Sequence, residues 1–298
     1  MNKKSGLQVF IEDFVLSTLS LLKVLILSKL KVKLQAGENV KKRVAILANG
    51  PSLKTSLQEH ELFLKDQDLI CVNHFPTTAY YEQYKPQYYI TSAPDLWLED
   101  IEARFIEQSK VLFETMAAKT TWDIQFFIPH EARKHKLWQS RLKKNPHIKI
   151  HYFNNTPIEG FRWFRHLMFK SNLGMPRPHN VLIPCLMISL ALRYKEISLL
   201  GADHSWLPEI SVTDENDVLI NQKHFYDEHT SKAMPLDKRG KGKRRLHELL
   251  NKFMNAFKGY FIIKEYAESL NASILNATKN SYIDAFDRIT LEKADQKR

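Results

Sequence analysis

Five polar clusters in this chain have the residue types of a small-molecule site. Asn49-Gly50-Pro51-Ser52, Asn73-His74, Asp203-His204 and Asn276-Ala277-Thr278 each follow a short apolar run. The fifth, His224-Phe225-Tyr226-Asp227-Glu228-His229, precedes a long periodic segment. Asn and Ser side chains at such positions can hydrogen-bond ribose and base edges. A histidine titrates near neutrality and can take a proton from a hydroxyl. The first cluster reads as a tight turn into a helix. Pro51 lacks an N–H and suits a helix's first turn, and Gly50 lets a ligand approach the backbone. The free N–H groups of the helix start, with Asn49 and Ser52 beside them, favour an anion. That describes a phosphate or nucleotide corner. An ordinary capped strand-to-helix turn would carry the same residues.

These clusters can meet only if the runs before them are parallel strands of one sheet, because their carboxyl ends then share a rim. The runs are residues 44–48, 69–72, 197–200 and 272–275, with another at 88–91. Their early spacing of about 20 to 25 residues fits alternating strand and helix units. Residues 111–114 and 124–128 read as further strands. Residues 181–192 and 246–270 read as helices, with Pro184 near the start of the first, where it is tolerated. The stretch 129–178 is rich in Lys, Arg, His and aromatics without a clean period, and reads as a lid or insertion. Residues 207–223 read as a polar, acidic loop. Residues 238–245 hold six basic residues in eight and read as a mobile basic loop. A helix start is expected at Ser281. The expected class is α/β, with a Rossmann-like parallel sheet flanked by helices, a lid-like insertion and an N-terminal amphipathic helix.

Of the 298 residues, 44% are hydrophobic, enough to bury a full core. The formal charge is +11, from 44 basic against 33 acidic residues, which points to anionic partners. Nucleic acid is excluded, because no zinc-ligand spacing, RNA-binding signature or helix-turn-helix pattern occurs. The two cysteines, Cys71 and Cys185, lie in apolar runs and read as buried thiols of a reducing compartment. Residues 14–30 are apolar but interrupted by Lys23 and Lys29. No cleavage site follows, and the stretch is too short and too charged to span a bilayer. With Lys31, Lys33, Lys41, Lys42 and Arg43 beyond, it suits a helix in the interface of an anionic leaflet. The alternative is a helix docked on the domain or on a partner. No Asp-x-Asp motif ends a strand and no Walker-type loop follows the first one, so no metal ligands are expected.

The stretch 44–54, Val-Ala-Ile-Leu-Ala-Asn-Gly-Pro-Ser-Leu-Lys, resembles the opening of the bacterial sialyltransferases of glycosyltransferase family 42. Cys71-Val72-Asn73-His74-Phe75 resembles their second strand end, and residues 188–203, ending Leu-Leu-Gly-Ala-Asp, resemble a later helix-strand unit. Residues 276–286 resemble their last nucleotide-contacting turn. The matches are islands across residues 43–290. The residues themselves put an amphipathic helix and linker over 1–42, and the resemblance implies a nucleotide-sugar-binding domain over 43–298. It implies inverting, metal-independent transfer of a sialic-acid-like sugar from a CMP-activated donor to a surface glycan or lipid-linked acceptor. No cofactor is implied beyond the donor. It would place the protein in the cytoplasm, peripheral on the inner face of the membrane.

Carried over by position, Asn49, Gly50 and Ser52 would hold nucleotide phosphate and ribose. Asn73 would lie by the donor sugar or base, and Asn276, Asn280 and Ser281 would line the cytidine pocket. The general base would be His229, with His224 as its rival. Where the family has a Thr-Ser pair this chain has His179-Asn180, which makes Asn180 a candidate contact. Where it has Asp-Phe-Tyr this chain has Asp203-His204-Ser205-Trp206. Tyr226 would stand in for the tyrosines that bind the leaving phosphate. These departures leave a ketodeoxyoctonate or pseudaminate donor open. Two other readings compete. One is a pterin pyrophosphokinase of the archaeal type, using ATP and magnesium, which shares a Gly-Pro-Ser-Leu turn and a Gly-Ala-Asp strand end. The other is a non-catalytic, membrane-recruited nucleotide-binding protein.

Overall fold

The computed structural model describes residues 5–34, 41–226, 232–236 and 242–291. Helix α1 (Gly6–Leu27) opens the chain. It is followed by β1 (Arg43–Leu47), α2 (Leu53–Glu59), α3 (Glu61–Lys65), β2 (Asp68–Val72), α4 (Tyr80–Tyr84) and β3 (Tyr88–Ile90). Next come α5 (Ala103–Lys119), β4 (Ile124–Pro129), α6 (Leu137–Leu142), β5 (Ile148–Phe153), α7 (Arg162–Lys170), α8 (Leu182–Ala191) and β6 (Glu196–Leu200). Three short strands, β7 (Ile210–Val212), β8 (Val218–Ile220) and β9 (Met234–Pro235), precede α9 (Leu246–Ser269), β10 (Ser273–Asn276) and β11 (Asp287–Arg288).

The main sheet has the order β11-β10-β6-β1-β2-β3-β4-β5, and its pairings are parallel. This is the expected Rossmann-like α/β class. The apolar runs are near-continuous because both sheet faces are covered. Val44, Ile46 and Ala48 of the first run face a core built with α7, α8 and α9. Ala45 and Leu47 alternate to the other face, against α2, α3 and α5. The chain winds outward from β1 to β5, then returns and winds the other way from β6. The direction reverses between β1 and β6, the switch point at which ligands bind in open α/β sheets.

Several elements differ from expectation. Residues 111–114 lie in α5, whose buried Ser109, Leu112, Phe113 and Met116 follow a helical period that the short apolar run conceals. Residues 129–178 contain β5, which pairs with β4 at the sheet edge. Its pattern is irregular because an edge strand exposes part of itself, here Lys149. Residues 207–223 are not a plain loop. They form the β7–β8 hairpin, joined by β9, with Val218 and Ile220 packed on Leu249 and Phe253 of α9. Strands of three residues are too short to show alternation in sequence. No helix starts at Ser281. Asn280 takes the left-handed conformation (φ 55°) and Ser281 bonds back to Ala202. Residues 237–241 of the basic run lie outside the described residues. Cys71 and Cys185 are free and buried, and burial pushes both thiols up.

Candidate functional site

At the switch point, backbone bonds tie the loops after β1 and β6 together. The Ala48 N–H donates to the Leu200 carbonyl and the Gly50 N–H to the Gly201 carbonyl, both at 2.8 Å. Asp203 then reaches across to the start of α2. Its carboxylate accepts from the Ser52 hydroxyl (2.9 Å) and the Ser52 N–H (3.3 Å). A Cβ at Gly50 would stand 2.0 Å from Asp203 Oδ2 and 2.5 Å from the Gly201 carbonyl. Gly50 thus makes room for Asp203, and the place expected for a phosphate at the Ser52 N–H is taken by this carboxylate. Burial pushes the Asp203 carboxyl up, and the two Ser52 bonds pull it part of the way back.

Asn49 stands on the other side of the same turn. Its Nδ2 donates to the Val72 carbonyl at 3.1 Å, bridging the ends of β1 and β2. Its Oδ1 is buried and has no hydrogen-bond partner. A buried acceptor left without a donor costs free energy, which makes this atom a strained feature of the β1 end. The Asn49 carbonyl accepts from the Phe225 N–H at 3.0 Å, which brings the late histidine segment onto the rim. Phe225 is anchored against Phe75 and Tyr80, with ring centroids 5.8 and 6.0 Å apart. His224 and Tyr226 flank that anchor and stack on each other at 5.1 Å, nearly coplanar. Asn73, in the left-handed conformation (φ 46°), accepts from the Thr91 hydroxyl at 3.2 Å.

His74, which the sequence offered only as the neighbour of Asn73 and with no role, and Asp95, which it did not offer, join this group. Burial pushes His74 down, the Asp95 carboxylate raises it, and the neighbouring His224 lowers it further. Both residues follow strand ends, and that position is the signal that could have found them.

The other candidates form two separate structures. Asn180 caps α8 through the Leu182 N–H (2.9 Å) and donates to the Tyr260 hydroxyl (2.9 Å). Tyr260 in turn bonds His204 Nε2 at 2.5 Å, and His204 stacks on Trp206 at 4.0 Å. Burial pushes His204 down to about 3, so it stays neutral. Beside this group lies a shallow cleft of about 370 Å³, lined chiefly by Leu207, Met254, Phe257, Phe261 and Tyr282. Asn276 is buried, donates to the Ile283 carbonyl and accepts from the Thr278 N–H, both at 3.1 Å. The Ser281 hydroxyl donates to the Ala202 carbonyl at 2.7 Å. Asn276 therefore braces the loop after β10 internally and Ser281 clasps it to the loop after β6, while Asn280 is exposed. His229 lies outside the described residues. Among the described residues, no group of three or more His, Cys, Asp or Glu is placed to hold a metal ion.

Chemically, the rim offers a buried, unpaired acceptor at Asn49, the His224 imidazole stacked on a phenol, and a carboxyl at Asp203 with a raised pKa. Such a set can hold a nucleotide edge and move a proton at a hydroxyl. Comparison of the sequence with known protein families finds no match, and no curated protein matches it. Among solved structures, the chain is similar to a MAf glycosyltransferase from Magnetospirillum magneticum AMB-1, with 9% identity and a TM-score of 0.46. The similarity covers 97% of this chain and 39% of that one, so this chain spans about two fifths of that protein's length.

Proposed function

We propose that this protein is a glycosyltransferase that moves a sialic-acid-like sugar from a CMP-activated donor to a glycan or lipid-linked acceptor. The observation that carries this reading is the buried, unpaired Asn49 Oδ1 at the β1–β6 switch point, with the His224–Tyr226 segment tied to the same residue by the Phe225 N–H on the Asn49 carbonyl. The resemblance of residues 44–54 and 71–75 to the family 42 sialyltransferases supplies the donor class. In this reading Asn49 and Asn73 receive the nucleoside, and Tyr226 donates to the leaving phosphate. The C–O bond to CMP breaks as the acceptor oxygen attacks the opposite face, with inversion. His224 takes the acceptor's hydroxyl proton, with His229 as the alternative base. Developing charge on the phosphate is met by hydroxyl and N–H donors rather than by a metal.

One observation favours a second reading. A carboxylate at Ser52 suits a magnesium-bound triphosphate better than a bare phosphate, as an ATP-using pterin pyrophosphokinase would require. The deciding experiment incubates the full chain with a CMP-sugar acid and a chelator and measures released CMP. Wild type is expected to turn over. His224→Ala is expected to lose about 100-fold or more while CMP affinity stays the same. Full activity in both His224→Ala and His229→Ala would refute the histidine base.

A further inference from the structure

Helix α1 is attached by its polar face. The Ser17 hydroxyl accepts from the Phe161 N–H (3.0 Å) and the Ser20 hydroxyl from the Glu159 N–H (2.9 Å). Just beyond the helix, Ser28 donates to the Leu173 carbonyl at 2.6 Å. Of the helix's 22 residues, only Ser20 and Val24 are buried. Apart from the buried Val24 and the half-buried Leu16, its apolar side chains are exposed. Leu7, Phe14, Leu22, Leu25 and Ile26 are all more than half exposed, Ile26 at 79%. Thr18, among them, turns its hydroxyl to the Phe14 carbonyl. Exposed Trp163 extends the surface through Phe161, which touches Phe10. A contiguous apolar surface of this kind marks an interaction site.

The charge around this surface decides what covers it. Lys29 follows the helix, and its backbone is gripped by Asn154 through two 2.9 Å bonds. Lys29, His130, Arg133, Lys134 and Lys136 line a shallow cleft of about 400 Å³, in which Glu131 is the lone acidic residue. The cleft stands where β4 and β5 end, on the same rim of the sheet as the β1–β6 switch point. A second copy of the chain would bring an identical cationic rim against this one, and like charges across an interface are disfavoured. An anionic leaflet complements both the apolar face and the rim, and tryptophan suits its boundary. No helix among the described residues is long and apolar enough to cross a membrane. We infer that α1 lies in the surface of an anionic bilayer, with lipid headgroup phosphates in the Lys29–Lys136 cleft.

The test is sedimentation of the full chain with vesicles of equal parts phosphatidylglycerol and phosphatidylcholine, against phosphatidylcholine alone. Binding to the anionic vesicles is expected. Leu22→Glu with Ile26→Glu is expected to abolish it, and Lys134→Ala or Lys136→Ala to weaken it about fivefold each. All four positions line the outer face or the cleft, so no core contact is altered. Absence of binding to anionic vesicles overturns the inference, as does binding that Leu22→Glu with Ile26→Glu leaves in place or that Lys134→Ala and Lys136→Ala leave at wild-type strength. A dimer in solution that Ile26→Glu dissolves, without vesicle binding, would assign the face to a second copy instead.

Discussion

At the scale of single residues, the site rests on side chains whose partners differ from what their types suggest. Asn49 was legible as a polar strand end, and it does bridge the ends of β1 and β2 at the switch point. Asn276 and Ser281 have equally suitable types, yet their hydrogen-bonding groups are engaged within the protein. A sequence tells what a side chain can bond, not which partner folding brings nearest. His204 shows the same limit, and it carries a pH prediction. Its ordinary value is 6.5, and burial lowers it to about 3. A base whose folded pKa is depressed contributes stability fully above 6.5 and loses it as pH falls toward 3. His204→Asn, which suits the left-handed backbone at φ 51°, removes that titration. Melting temperatures at pH 7 and pH 4 should differ less in this variant than in wild type. An equal drop would count against a neutral His204.

At the scale of elements, the parallel strands were readable because burial on both faces makes them continuous apolar runs. The β7–β9 hairpin and the edge strand β5 were not. The first is too short for a period, and the second exposes one side. Helix α1 was readable as amphipathic, but its orientation was not, because Ser17 and Ser20 dock beside Val24 while most of its apolar residues stay exposed. Gly160 makes that docking possible. It has φ 103°, and a Cβ there would stand 2.1 Å from Ser17 Oγ and 2.5 Å from the Ser17 N. Gly160→Ala is therefore expected to lift α1 from the domain at a cost of about 1 to 3 kcal/mol. Hydrogen exchange should rise across residues 6–27 and stay unchanged in the strands of the main sheet. Unaltered protection of α1 would show that the serine contacts do not hold it.

At the scale of the whole molecule, one reversal of winding organises the function. Strands β1 and β6 pair to their carboxyl ends at the switch point, and the loops after them supply Asn49, Ser52 and Asp203. The loop after β10 clasps one side of the switch point, and the segment after β8 brings His224 to the other. The α/β class and the rim were visible in sequence from the order of polar strand ends. The return of residues 221–226 to Asn49 was not, since it depends on one backbone bond and the Phe225 anchor. The most direct test is calorimetric titration of nucleotides into the full chain with chelator present. CMP is expected to bind wild type, and Asn49→Ala to weaken that binding about tenfold through loss of the buried acceptor. Binding of ATP only when magnesium is supplied, with none of CMP, would contradict the account and favour the pyrophosphokinase reading. No nucleotide binding at all would contradict both.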